Sequence, residues 1–346
     1  MIRLNCDYLE GCHPAILRKL TETNMEQTVG YGLDPYCDQA AAMIREIFAC
    51  PDAAVHFLVG GTQANTTVIA AALRPYDGVL CAETGHINVH ETGAIESSGH
   101  KCLALPHRNG KITAAQVAAA VAAQGDDEHI VKPGMVYISL STELGTLYTL
   151  AELQDMYRTC QQLGLYLFID GARLGYALAA PACDLTPADL TKCCDVFTVG
   201  GTKVGALFGE AVVISHPELN RNFRYMIKQR GGMLAKGRLL GVQFVALMEN
   251  GLYFTIARKA VEQALRIRQA LVNKGIPLFI DSPTNQQYPI FTKAQMAALS
   301  QQFDLALWEP VDDTRDAMRV CTSWATPDEY VDAFIAAVEG LQEPSI

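Results

Sequence analysis

Leu165-Tyr166-Leu167-Phe168-Ile169-Asp170-Gly171-Ala172-Arg173, with Lys203 following in Gly200-Gly201-Thr202-Lys203-Val204-Gly205, is the part of the chain that decides its fold. Residues 165–169 are continuously apolar, the mark of a strand buried on both faces in a mainly parallel sheet covered by helices. Asp170 closes that strand, and a charge in such a place must be paired or hydrogen-bonded. Lys203 comes 33 residues after Asp170, about one strand-helix-strand unit, in a loop whose glycines remove side-chain bulk.

The same rhythm repeats on both sides of this stretch. Apolar runs at 55–59, 79–82, 102–105, 135–140, 196–199 and 211–214 read as strands, and 63–73, 113–123, 150–163 and 217–229 have helical spacing. Together they predict an α/β fold with a mainly parallel, seven-stranded sheet covered by helices. Near residue 245 the rhythm changes. A long helical stretch runs to residue 273, short strands follow at 276–280, 288–291 and 318–322, and a last helix spans 327–341. The chain therefore divides into an N-terminal segment plus large domain, 1–245, and a smaller C-terminal α+β domain, 246–346.

A formal charge of -10 repels a phosphate backbone and predicts no nucleic-acid partner. The densest basic cluster, Arg221 to Arg238, reads as a solvated face or as a phosphate contact made by a few of its members. Eleven cysteines lie scattered without metal-ligand spacing, so reduced thiols and no metal site are expected. The N-terminus lacks a signal-peptide core, and no apolar stretch approaches the ~20 residues of a membrane span. A cytoplasmic protein without a membrane partner is the expectation.

Several residues carry candidate chemistry, each beside a plainer reading. Gly60-Gly61-Thr62-Gln63 is either an ordinary glycine turn or an anion seat at a helix N-terminus. It lacks the pattern of a Walker loop or a dinucleotide fingerprint. His86 is a structural or solvated histidine, or a ring that stacks and moves protons. Asp170 is a helix cap or the partner of a protonated ring nitrogen. Arg173 is the salt-bridge partner of Asp170 or the clamp on a substrate carboxylate. Arg319 pairs with Asp312, Asp313 or Asp316, or takes that same carboxylate. Lys203 is a solvated surface amine or, in an apolar setting that lowers its proton affinity, a Schiff-base lysine. Lys203 with Asp170 suits an enzyme that holds pyridoxal 5'-phosphate, since a carbanion sink needs its ring charge kept in place.

These segments resemble the threonine aldolase family, within the β-eliminating lyase superfamily of pyridoxal-phosphate enzymes with the aspartate-aminotransferase fold, type I. The resemblance is carried by Gly61-Thr62-Gln63-Ala64-Asn65, His86 with Glu91, Asp170-Gly171-Ala172-Arg173, Gly200-Gly201-Thr202-Lys203, Arg230-Gly231-Gly232-Met233 and the Arg319 strand. It implies that Lys203 carries the cofactor, Asp170 pairs with its ring nitrogen, Gly61 and Thr62 cradle its phosphate and His86 stacks on the ring. It implies that Arg173 and Arg319 hold the substrate carboxylate with Cys6 close by, and that Glu91, Tyr31 and His129 belong to the site, some supplied by a neighbouring subunit of a homotetramer.

Three departures bear on specificity. Asn5-Cys6-Asp7-Tyr8 replaces Arg-Ser-Asp-Thr, and Ser139-Leu140-Ser141-Thr142-Glu143 stands where the family carries Glu-Asn-Thr-His. Leu234 replaces a phosphate-contacting arginine, for which Lys228, Lys236 or Arg238 could substitute. The implied activity is the cleavage of a small β-hydroxy-α-amino acid, threonine or allo-threonine, to glycine and an aldehyde. The alternatives are another β-elimination or a transamination on the same scaffold, or a non-enzymatic protein retaining the fold. Threonine turnover to glycine separates these.

Overall fold

The computed structural model describes residues 1–342, so positions 343–346 of the C-terminal domain lie outside the described residues. After a short first strand, β1 (Ile2–Arg3), the large sheet is built from β2 (Ala54–Leu58), β3 (Asp77–Ala82), β4 (Lys101–Leu105), β5 (Lys132–Ser139), β6 (Tyr166–Asp170), β7 (Val196–Gly200) and β8 (Glu210–Ile214). Their order is β2-β8-β7-β6-β5-β3-β4. β8 alone runs antiparallel, to β7 and to β2. Residues 201–209 are too few for the crossover helix that a parallel neighbour needs, so the chain turns back on itself. The other strands all end at one edge.

Apolar cores cover both faces of the sheet. Alternate residues of β6 divide between them: Leu167 and Ile169 pack with Ile44, Leu153 and Phe197, while Phe168 packs with Val68, Tyr137 and Phe223. The helices start where the sequence caps them. Thr149 and Glu152 form a capping box ahead of Leu150–Leu163, and Thr113 with Gln116 does the same for Ala114–Gln124. The single helix expected over 217–229 is two, Pro217–Asn220 and Phe223–Gln229, because Asn222 between them is left-handed at φ 61°.

The division expected at residue 245 falls inside the helix Arg238–Met248. The chain bends after it, at Asn250 and Gly251 (φ 55° and 67°), before the helix Leu252–Asn273. This apolar stretch passes for a membrane span by composition, yet it is two helices packed against Pro35–Ile47 and Leu174–Ala179.

The C-terminal part adds β9 (Leu278–Ile280), β10 (Gln286–Thr292), β11 (Phe303–Asp304), β12 (Ala306–Pro310) and β13 (Arg315–Cys321). Four of them form an antiparallel sheet, β12-β13-β10-β9. β11 instead pairs in parallel with β1, and Leu4 packs with Phe291, Phe303 and Phe334. Ile2 and Leu4 thus join the C-terminal core, which the sequence division at 245 does not anticipate.

Candidate active site

β2, β3, β5, β6 and β7 deliver their carboxyl ends to one edge of the sheet, where an open α/β sheet offers a crevice. One cleft there is lined by Gly61, His86, Asp170, Arg173 and Lys203, all singled out from sequence. It is also lined by Asn65, Ser139, Ser141, Glu143 and Ala172, to which the sequence assigned no role.

Glycines bring the two principal residues together. A Cβ on Gly171 would lie 1.9 Å from the Thr198 carbonyl oxygen, and one on Gly200 would lie 2.4 Å from that of Ala172. Without side chains the two strand ends press together, and Gly200 N–H donates to Gly171 O at 3.0 Å. The loop carrying Lys203 then closes on itself through Gly201 and Thr202 amides bonded to Gly209 O.

Asp170 is buried, and both of its oxygens are held. Oδ2 accepts from Tyr137 Oη at 2.5 Å and Asn65 Nδ2 at 3.1 Å, and Oδ1 accepts from the Ala172 amide at 2.9 Å. Burial and the neighbouring Asp170 charge push the Tyr137 phenol well above its ordinary range, so it serves as a neutral donor. Tyr137 was legible only as a hydroxyl inside an apolar strand.

Lys203 is set for amine chemistry. Burial, reinforced by the Arg173 charge, holds its ammonium below the usual lysine range, although Asp7, Glu210 and Asp170 pull the other way. Its Nζ stands 5.9 Å from the centre of the Tyr8 ring.

His86 is fixed from two sides. Its Nδ1 lies 2.7 Å from Glu91 Oε1, which also accepts from Asn65 Nδ2 at 2.7 Å. Glu91 is therefore the buried support of the histidine, and Nε2 is the ring nitrogen left without a protein hydrogen bond among the described residues. Asn65 bridges the two carboxylates, Glu91 and Asp170, and so ties the His86 support to the end of β6.

The arginines have partners other than those expected from sequence. Arg173 pairs with Asp7 rather than Asp170, through Nε at 2.7 Å and Nη2 at 2.9 Å. Burial pushes the Asp7 carboxyl up, but the Arg173 charge and hydrogen bonds outweigh it and hold it below the ordinary range. Asn285 Nδ2 adds a bond to Asp7 at 2.9 Å. Arg319 makes no ion pair with Asp312, Asp313 or Asp316 among the described residues; it donates to Asn5 O at 2.9 and 3.2 Å. The N-terminal segment thus runs between the two arginines, with Cys6 half-buried on it.

Other expected site residues lie outside the cleft in this single chain. Tyr31 is exposed with φ 61°, under Lys228 Nζ at 5.0 Å from its ring centre. His129 is on an exposed turn, its amide bonded to Asp127. Thr62 is exposed on the first turn of the helix Gly61–Ala72, which no side chain caps. Of the basic residues offered in place of the missing arginine, Arg238 is committed to Thr23 and Glu26 carbonyls and to the Tyr36 ring.

Glu210, which the sequence did not flag, is buried at the start of β8, where its Oε2 accepts from Gly201 N–H at 3.2 Å. Burial raises it to about 7, against the pull of Lys203. A carboxyl raised on folding favours the proton-bound folded state, so its contribution to stability is lost as pH rises from about 4.5 through about 7. Thermal midpoints of wild type and Glu210→Gln across that window are expected to diverge, with wild type falling relative to the variant. Parallel curves would contradict a raised Glu210.

The residues fit a pyridoxal-type cofactor by their donor chemistry: a half-buried amine of lowered basicity, a fixed carboxylate and a helix N-terminus without a side-chain cap on one cleft. Ser141 Oγ and Asn65 Oδ1 also lie buried there without a protein partner among the described residues. Fold and cleft together define a lysine-centred enzyme on an aminotransferase-type scaffold.

The family model of β-eliminating lyases matches residues 4–293. The chain belongs to that family, whose members are pyridoxal-phosphate-dependent lyases. It is 34% identical to the low specificity L-threonine aldolase of Pseudomonas aeruginosa over 298 residues, 85% of each chain. A solved threonine aldolase of Leishmania major superposes with a TM-score of 0.96 at 43% identity, covering 98% of this chain and 99% of that one. Aspartate aminotransferase of Thermus thermophilus shares the fold, with a TM-score of 0.72 at 13% identity over 98% of this chain and 91% of the other.

Proposed function

We propose that this protein is a low-specificity L-threonine aldolase that cleaves threonine or allo-threonine to glycine and acetaldehyde. The observation that carries the reading is the convergence of Lys203, Asp170 and a carboxylate-supported His86 on one cleft, in a chain of this family. Pyridoxal phosphate, when bound, supplies the sink for the electron pair released from the Cα–Cβ bond. Lys203 would hold it covalently, Asp170 would face its ring nitrogen, and Gly61 with Thr62 would seat its phosphate at the helix N-terminus.

Arg173 and Arg319 commit no Nη1 atom to a protein partner among the described residues, so each keeps a donor for the substrate carboxylate. Fixing that carboxylate orients the Cα–Cβ bond and so selects which bond breaks. His86 Nε2, directly or through a water, takes the β-hydroxyl proton as the carbonyl of the aldehyde forms. Glu91 stabilises the ring once it carries that proton.

Tyr8, Leu9, Leu17, Met25, Val29, Tyr31 and Leu33 are exposed in one N-terminal stretch, apolar surface suited to a subunit contact. This supports a homotetramer in which Tyr31 and His129 reach a neighbour's cleft. Eleven unpaired cysteines suit the reducing cytoplasm.

Titration with pyridoxal phosphate tests the cofactor reading. Wild type is expected to gain a visible absorption band that borohydride fixes on Lys203 and that L-threonine or L-allo-threonine perturbs; no band, or label on another lysine, would overturn it.

A further inference from the structure

Glu143 is a carboxyl group in the cleft that the reaction just described leaves without a task. It follows β5 in Ser139-Leu140-Ser141-Thr142-Glu143 and lines the same cleft as His86, Asp170 and Lys203. Its place is built from both domains. Oε1 accepts from the His86 main-chain N–H at 2.9 Å and from Ser139 Oγ at 2.6 Å. From β10 of the C-terminal sheet, Tyr288 Oη donates to the Glu143 carbonyl at 2.6 Å, which fixes its backbone.

One oxygen is thus committed to holding the carboxyl against His86. The other, Oε2, has no protein hydrogen bond among the described residues and is not sealed in the interior. Burial also pushes this carboxyl above the ordinary range, so it can share a proton with an oxygen ligand more readily than a solvated glutamate can. A carboxyl anchored by one oxygen and open through the other is suited to reading a hydroxyl group.

We infer that Glu143 is a specificity-determining residue that hydrogen-bonds the substrate β-hydroxyl through Oε2, and so selects β-hydroxy-α-amino acids over their deoxy counterparts. The inference rests on the aldolase reading above. A site built to bond a hydroxyl rejects the analogue lacking it, because its own polar group is then left unpaired.

The test compares holoenzyme of wild type, Glu143→Gln and Glu143→Ala. Two quantities are measured: kcat/KM for L-allo-threonine, and the competitive inhibition constant of L-2-aminobutyrate, which has the carboxylate and amine but no hydroxyl. In Glu143→Ala, kcat/KM is expected to fall about 10- to 100-fold. The inhibition constant is expected to stay the same or to fall, since the analogue makes no hydroxyl bond to lose and no longer leaves a carboxyl unpaired. Glu143→Gln, nearly isosteric and still able to bond a hydroxyl, is expected to lose less, and it serves should the alanine variant fail to fold. Equal losses for both ligands would mean that Glu143 only supports the cleft, and no loss for either would mean that Oε2 does not meet the hydroxyl; each overturns the inference. Wild type that releases no glycine overturns the aldolase reading and this inference with it, whereas release with unchanged discrimination overturns the inference alone.

Discussion

Lys203→Ala is expected to lose at least about 10³-fold in glycine release from L-threonine, because no other group supplies the covalent attachment. Burial and the Arg173 charge keep the Lys203 amine readier to be neutral, and a neutral amine is the reactive form. The loop that presents it is fixed by main-chain bonds to Gly209, so removing the side chain leaves the loop in place. The fold should survive, with a thermal midpoint close to wild type while activity collapses. Glycine release within tenfold of wild type would show that the chemistry lies elsewhere.

Asp7→Ala is expected to be the most destabilising change near the cleft, by about 3–5 kcal/mol, because it leaves the Arg173 guanidinium buried without its carboxylate. Asp7 is completely shielded from solvent and joins three parts of the chain: the N-terminal segment, the turn after β6 and Asn285 just ahead of β10. Its carboxyl is held below the ordinary 3.8 in the folded protein. The stabilisation is therefore present above that value and is lost as pH falls through the lower, folded one. Denaturant melts at neutral pH should show the full loss in Asp7→Ala, with the gap to wild type closing in strong acid. A neutral-pH loss below about 1 kcal/mol, the range of exposed pairs, would contradict a buried pair.

The strands of the large sheet were legible because burial on both faces forces continuous apolar runs, and the end of β6 at Asp170 was legible as the point where the run stops. The reversal of β8 was carried only by the shortness of 201–209. In the small domain, β12 went unseen because only half of a one-sided strand is apolar, and the bulge between Leu307 and Glu309 breaks its alternation. The pairing of β1 with β11 joins residues three hundred positions apart, which no local pattern records.

At the site, residue types were readable and partners were not. Arg173 close to Asp170 in sequence offered a pair, yet its guanidinium bonds Asp7, 166 positions away in the chain. Glu91 was readable only as a member of the site, and its contact with His86 Nδ1 makes it the support of that histidine. Glu143 was visible as a departure from the family pattern; its role follows only from the cleft that it lines.

The most direct measurement is quantitative: L-threonine and L-allo-threonine are each incubated with purified wild type and pyridoxal phosphate, and glycine and acetaldehyde are counted together. Both products are expected in equal amounts, formed only with the cofactor. A bound cofactor with ammonia and a keto acid instead of glycine would contradict it and assign the cleft to elimination.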